Sequence, residues 1–155
     1  MFRVARQLLF RLPPERAHAV ALGGLDLLAA ARPGRFQATR TEDPQVLMGV
    51  RFPNAVGLSA GMDKDGDHIA GLASAGFGFI ELGTVTPKPQ PGNPPPRVFR
   101  LVEQEALINR LGFNNRGVEH LVDNLKRVET DLPLGINIGK NRATPLESAR
   151  QDYEE

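Results

Sequence analysis

The chain predicts an α/β fold, with parallel βα units behind a helical hairpin. Three observations carry that reading. Three short apolar segments, at 55–60, 79–84 and 134–139, each end in small or polar residues. Each is followed, directly or after a detour, by a stretch of helical character, at 65–75, at 117–128 and from 145 onward. A helix between two strands carries the chain back over the sheet, so the strands it joins run parallel. Ahead of them, residues 1–31 show helical periodicity interrupted at Pro13-Pro14.

At 100° per residue Phe2, Val4, Ala5, Leu8, Leu9 and Leu12 share one arc of the first helix, and Arg3, Arg6, Gln7 and Arg11 share the other. Phe10 alone falls on the polar side. Pro14 suits the first turn of a second helix, where a missing N–H costs nothing, and Arg32-Pro33-Gly34 ends that helix. Within it Glu15, Arg16 and Asp26 form a polar stripe, while His18 lies with Val20, Ala21, Leu22, Leu25 and Leu28 on the apolar arc. A histidine there either packs against a local hydrogen-bond partner or touches a ligand. Residues 36–43 are polar and loop-like, and 46–52 read as a short strand closing off the helical part. A domain boundary is therefore expected near residue 40, dividing 1–40 from 41–155.

The first two parallel strands are one plain βα step apart, but the gap to the third is more than twice as long. The insert, at about 86–116, opens with Pro87-Lys88-Pro89-Gln90-Pro91-Gly92-Asn93-Pro94-Pro95-Pro96, too rich in proline for regular structure. It continues as a β-hairpin over 97–102 and 106–110, turning at Glu103-Gln104-Glu105. Gly76-Phe77-Gly78 precedes a strand and is read as the end of a helix, not as a phosphate loop.

Composition removes several classes of function. With no Cys there is no disulfide, no thiolate nucleophile and no Cys-bearing metal or iron–sulfur site, and the three His are too scattered for a ligand cluster. No metal is expected. No apolar run approaches the ~18 residues that span a bilayer. The net charge of +1 hides an asymmetry: residues 1–40 hold seven Arg and no Lys against Glu15 and Asp26, and the remainder is acidic. A basic, Leu-rich end on an acidic body suits an anionic membrane surface. Nucleic acid is set aside, because one Tyr and no Trp leave no aromatic side chains interleaved for base stacking.

Three places could carry chemistry. In Ser59-Ala60-Gly61-Met62-Asp63-Lys64-Asp65-Gly66, Ala60 and Gly61 let backbone approach a flat ligand, and Lys64 can meet an anion or a carbonyl. The same string also reads as a solvated Lys between two Asp at a helix start. Asn109-Arg110-Leu111-Gly112-Phe113-Asn114-Asn115 offers amides, a guanidinium and free backbone to a small planar polar ligand, or forms a turn. Asn137 lies between Ile136 and Ile138, so its amide points opposite to theirs and requires a partner from protein, water or ligand.

These motifs in order resemble the dihydroorotate dehydrogenase family, in its membrane-associated, quinone-using class. The resemblance runs from Pro14-Glu15-Arg16-Ala17-His18 through 54–66, 80–87, 89–93, 97–101 and 108–115 to 135–141, nearly the whole chain. It implies the N-terminal part of a (β/α)8 TIM barrel that binds FMN, preceded by a small helical domain at 1–40 giving membrane and quinone access. It also implies oxidation of dihydroorotate to orotate in pyrimidine biosynthesis, with a membrane quinone as final acceptor. Position by position, Ala60, Gly61, Met62, Asp63, Lys64, Thr84 and Asn137 correspond to FMN contacts. Lys64, Asn109, Arg110, Leu111, Gly112 and Phe113 correspond to the substrate site, and His18 and Arg100 to the quinone tunnel.

A complete barrel of this kind takes about 250 residues, and three parallel strands are legible here. The family's catalytic Ser and its FMN phosphate contacts are accordingly expected beyond residue 155, and no catalytic base is assigned within the chain. A three-stranded parallel sheet with an open edge is expected to aggregate or stay partly unfolded by itself. The alternative reading is a non-catalytic, membrane-associated half-barrel. The expected location is the cytoplasmic face of a bacterial cell membrane.

Overall fold

The computed structural model describes residues 2–31 and 42–154. The boundary expected near residue 40 falls outside these residues. Helix α1 spans Phe2–Leu9 and α2 spans Pro14–Ala31. The chain closes α1 with turn hydrogen bonds from the amides of Phe10, Arg11 and Leu12 to the carbonyls of Arg6, Leu8 and Leu9. Pro14 then starts α2 as its first residue, where a rigid φ helps and no donor is lost.

The single strand expected over 46–52 is instead a tight antiparallel hairpin, β1 (Gln45–Leu47) and β2 (Val50–Phe52). Met48 and Gly49 both take positive φ, 52° and 79°, which matches the twist of a two-residue hairpin turn. The apolar run hid the reversal, because only Gly49 announces it.

Three parallel strands follow, β3 (Gly57–Leu58), β4 (Phe79–Val85) and β7 (Leu134–Ile138), in the order β3-β4-β7. The insert between β4 and β7 holds the antiparallel hairpin β5 (Val98–Leu101) and β6 (Ala106–Asn109). Helices α3 (Ile69–Ala73) and α4 (Val118–Leu125) cover one face of the sheet, and a 3-10 turn at Leu146–Ser148 leads into α5 (Ala149–Glu154). Helix α3 starts later than its sequence suggests. The buried Asp63 carboxylate accepts the amides of Asp67 (3.1 Å) and His68 (2.8 Å) and winds 63–68 into a loop instead.

One core holds these elements together. Ile80, Leu82 and Val85 of β4 are buried against Ile69 and Leu72 of α3, Leu121 of α4 and Leu132, and Leu22 of α2 joins the same cluster with Leu25 beside it. Burial of such side chains contributes about 1.5–3 kcal/mol each. The helical hairpin is thus anchored on the barrel helices. The apolar arc expected for α2 divides: Leu22 is buried and Leu25 partly so, whereas Val20, Ala21 and Leu28 are exposed.

The acidic stripe of α2 divides as well. Asp26 turns inward, its Oδ2 lying 2.5 Å from His68 Nδ1 and its Oδ1 accepting the Gly71 amide at 3.1 Å. Helix α3 can come this close because residue 71 is glycine, and any Cβ there would run into the Asp26 carboxylate.

Candidate functional site

The helical hairpin, the 61–68 loop and the insert with its β5–β6 hairpin border a cavity of about 740 Å³. Of the residues singled out in the sequence, Gly61, Met62, Asp63, Lys64, Asn109, Leu111, His18 and Arg100 border it. Ala60, Thr84, Asn137, Arg110, Gly112 and Phe113 lie outside it.

Lys64 is half-buried and donates to Asn114 Oδ1 at 3.1 Å, which ties the loop after β3 to the loop after β6. Lys64 is thus neither fully solvated nor at the start of α3, which begins at Ile69. Burial pushes its ammonium below the usual lysine range, and the Arg97 guanidinium adds to that, while Glu15 and Asp65 oppose it. A partly desolvated cation facing a cavity attracts an anionic ligand group. Asp63 behaves differently, since its carboxylate is consumed by the two loop amides. Burial raises its pKa despite those hydrogen bonds.

Gly61 has φ 106°, donates its amide to the Gly83 carbonyl at 2.7 Å, and has open space where a Cβ would stand. Backbone is therefore bare at the start of this loop, next to Ala60. On the sheet itself, Thr84 Oγ1 donates to Asn137 Oδ1 at 2.6 Å and Asn137 Nδ2 donates to Glu81 Oε1 at 3.3 Å. These three side chains share the face opposite the core. Strict alternation would set Thr84 on the same side as Ile80 and Leu82. A register irregularity between Gly83 and Val85 returns Val85 to the core and re-aims Thr84 toward Asn137. Gly83, at φ 103°, is the one residue in the strand that hints at it. The partner that Asn137 requires is supplied by the protein.

The 109–115 segment divides its three asparagines. Asn109 Oδ1 accepts the Leu111 amide at 3.4 Å, Asn114 meets Lys64, and Asn115 is buried. Asn115 Oδ1 accepts the amides of Thr86 and Gly117, and its Nδ2 donates to Thr86 Oγ1. Asn141 answers from the β7 side, donating to Thr86 Oγ1 and the Lys88 carbonyl and accepting the Lys88 amide. Together they satisfy the backbone of the proline-rich segment, which has no ladder of its own. Arg110 is spent on the Pro96 carbonyl, Gly112 and Phe113 offer their carbonyls to Gln90 Nε2, and the Phe113 ring is exposed.

His18 projects from α2 toward the cavity. Burial and the charge of Lys64 push its pKa below the usual histidine value, opposed by the backbone of Met62, so the neutral imidazole is favoured at neutral pH. Arg100 donates to the Phe10 and Leu12 carbonyls at 3.3 and 2.9 Å and stacks over the Phe10 ring, 4.6 Å from its centroid. That contact explains why Phe10 leaves the apolar arc. Asn114 and the pairing of Glu15 with Arg97 are the functional features that helical and strand periodicity missed. Among the described residues no group of three or more His, Asp or Glu is placed to hold a metal ion.

Residues 44–155 match the family model described as dihydroorotate dehydrogenase. The chain is 56% identical over 156 residues to the dihydroorotate dehydrogenase (quinone) of Marinobacter nauticus, covering 99% of this chain and 45% of that protein. It is 55% identical to the protein of the same name from Teredinibacter turnerae, covering 99% and 46%. Among solved structures it resembles DHODH from Eimeria tenella in complex with ferulenol, with a TM-score of 0.74 and 38% identity over 90% of this chain and 39% of that one. The chain thus spans less than half the length of the curated relatives it matches. Its three parallel strands and their helices are part of a (β/α)8 barrel, and the chain belongs to the dihydroorotate dehydrogenase family.

Proposed function

We propose that this protein oxidises dihydroorotate to orotate in pyrimidine biosynthesis and delivers the electrons to a membrane quinone. The observation that carries the reading is the half-buried Lys64 held by Asn114, which joins two loops at a cavity that also borders the helical hairpin. Dihydroorotate is a carboxylate, and a cation whose desolvation is uncompensated gains most from such a partner. Asn109 and Leu111 border the same space, and Arg110, Gly112 and Phe113 complete the loop that shapes it.

FMN is the cofactor this reading requires, and the residues present fit a flat, polar ring system. Gly61 offers a bare backbone face beside Ala60, Met62 and Lys64 stand next to it, and Thr84 and Asn137 present a hydroxyl and an amide on the adjoining sheet face. These residues, with the backbone of Asp63, would hold it. Bound there, FMN would supply two-electron acceptance from the substrate and onward transfer to the quinone. The chain's own part is to orient the substrate through Lys64 and the 109–113 loop, with the β5–β6 hairpin walling one side of the cavity. The base that takes the substrate proton is assigned to no residue of 1–155.

On the acceptor side, His18 and Arg100 border the cavity where the hairpin meets β5, and line the proposed quinone path. A lipid-soluble acceptor requires a route from the bilayer. Val4, Leu8, Val20, Leu27 and Leu28 are exposed on α1 and α2 together with Arg6, Arg11 and Arg16, as an interfacial hairpin needs. No helix among the described residues is long and apolar enough to cross a membrane. The exposed apolar and basic side chains of this hairpin support a peripheral position, which we propose is on the cytoplasmic face of a bacterial cell membrane.

The test is dihydroorotate-dependent reduction of a short-chain quinone by the natural gene product, purified at its native length, with flavin absorbance recorded on the same sample. Turnover with quinone and a flavin spectrum supports the proposal. Turnover with fumarate or NAD and none with quinone sinks the acceptor assignment, and a flavin-free protein that leaves dihydroorotate untouched sinks the whole reading.

A further inference from the structure

We propose that Arg97 is a positioning residue for the 109–113 loop, set in place by Glu15 of α2, so that the hairpin on the acceptor side and the loop on the substrate side share one guanidinium. The inference rests on the function proposed above. All three guanidinium nitrogens of Arg97 donate. Its Nε lies 3.0 and 3.1 Å from the two carboxylate oxygens of Glu15, and its Nη2 donates to Glu15 Oε1 at 2.7 Å. Its Nη1 donates to the Pro91 and Asn93 carbonyls at 2.7 and 2.9 Å. The guanidinium is only 13% exposed, so the fork is largely shielded from water.

From that turn the connection runs directly into the loop. Asn93 donates its amide to the Leu111 carbonyl at 3.0 Å and its Nδ2 to the Arg110 carbonyl at 2.7 Å, and the Arg110 amide returns to the Arg97 carbonyl at 2.9 Å. Neither backbone has slack. A Cβ at Gly92 would meet the Leu111 carbonyl, and one at Gly112 would meet Asn93 at 2.9 Å. At the other end, Glu15 stands in the first turn of α2, three residues before His18, which borders the cavity. A displacement of α2 is therefore felt at Leu111 through one side chain. A lysine could not do the same, because a single ammonium cannot meet a carboxylate with two bonds and two carbonyls at once.

The experiment compares Arg97→Lys and Glu15→Gln with the parent in the flavin-loaded protein, using amide hydrogen exchange and steady-state kinetics. Exchange at Asn93 and Arg110 is expected to quicken about tenfold or more in Arg97→Lys, with Ile80 and Gly139 in the sheet unchanged. KM for dihydroorotate should rise about tenfold in Arg97→Lys and less in Glu15→Gln, with kcat changing by less than KM in each. Unchanged exchange at Asn93 and Arg110, or equal acceleration at Ile80 and Gly139, overturns the proposal. So does an unaltered KM for dihydroorotate. Should the parent oxidise no dihydroorotate, the assigned function fails, and the exchange comparison still decides whether Arg97 holds the loop.

Discussion

Lys64 shows how a single residue type acquires a role from its surroundings. In the unfolded chain its amine titrates at the ordinary value of 10.5, and in the fold burial and Arg97 lower it. Between the two values the unfolded chain binds more protons, so stability rises with pH through that window. Below the folded value the penalty is present in full. Replacing the amine with an apolar side chain removes that penalty at neutral pH. Lys64→Met is therefore expected to melt no lower than the parent while binding dihydroorotate about 10- to 100-fold more weakly, since a charged hydrogen bond is lost. Differential scanning fluorimetry and a substrate titration on one preparation check both halves, and a fall in melting temperature with unchanged affinity contradicts the assignment. Asp67 carries the opposite sign. Burial pushes its carboxyl up, but hydrogen bonds from His120 and Asn124 with the charges of His120 and Arg116 outweigh it and hold it below the usual value of 3.8. Its contribution is present above 3.8 and is lost as pH falls through the folded value. In acid titrations followed by circular dichroism, Asp67→Asn should show a smaller loss of stability below pH 4 than the parent, because that linked proton uptake is gone.

At the scale of elements, the junction of α2 with α3 rests on Asp26 and on the missing side chain of residue 71. Gly71→Ala drives a methyl into the Asp26 carboxylate and backbone, and overpacking of this kind costs about 1–3 kcal/mol. Asp26→Ala leaves the Gly71 amide and His68 without their acceptor, a loss of about 1–3 kcal/mol. The double variant should cost less than the sum, because the methyl then has room; urea denaturation of the three proteins gives the coupling, and strict additivity would show that the two residues do not meet. These same residues mark the limit of what the amino-acid pattern reveals. The three parallel strands, the β5–β6 hairpin and both N-terminal helices were legible, because each follows from local periodicity and from proline and glycine punctuation. Glu15, Arg16 and Asp26 read only as a polar stripe, since helical phase says which residues share a face and nothing of what lies opposite. The partners of Glu15 and Asp26, which are Arg97 and His68, are far away in the chain. Phe10 is instructive in the other direction: its wrong phase was visible, and only the fold supplied Arg100 as the cause. Thr84 depends on an irregularity within β4 at which Gly83 hints, but whose effect on the direction of Thr84 only the fold shows.

The whole molecule is organised around a division of charge. Arg6, Arg11 and Arg16 accompany exposed apolar side chains of α1 and α2, the first forty residues are net basic in sequence, and the remainder of the chain is net acidic. In the proposed membrane role, the acidic body is repelled by an anionic bilayer, which confines contact to the hairpin and turns the cavity mouth beside His18 and Arg100 toward the membrane. Two forces of different character then hold the protein there. Attraction of arginine to anionic headgroups is screened within about 8 Å at physiological salt, whereas insertion of Val4, Leu8 and Leu27 is insensitive to salt. Co-sedimentation with anionic vesicles should therefore fall steeply between low and high salt but retain a residue of binding, and neutral vesicles should show that residue alone. Leu8→Ser combined with Leu27→Ser removes exposed apolar surface without touching the core, since both side chains are more than half exposed. Taking about 1.5 kcal/mol as the cost of withdrawing each leucine from the interface, the pair should weaken partitioning by about 100-fold with little change in melting temperature. Turnover with a water-soluble quinone should stay at the parent level, and turnover with a long-chain quinone held in vesicles should drop with the binding. Equal loss with both acceptors would mean that the hairpin supports the fold and not the route from the membrane.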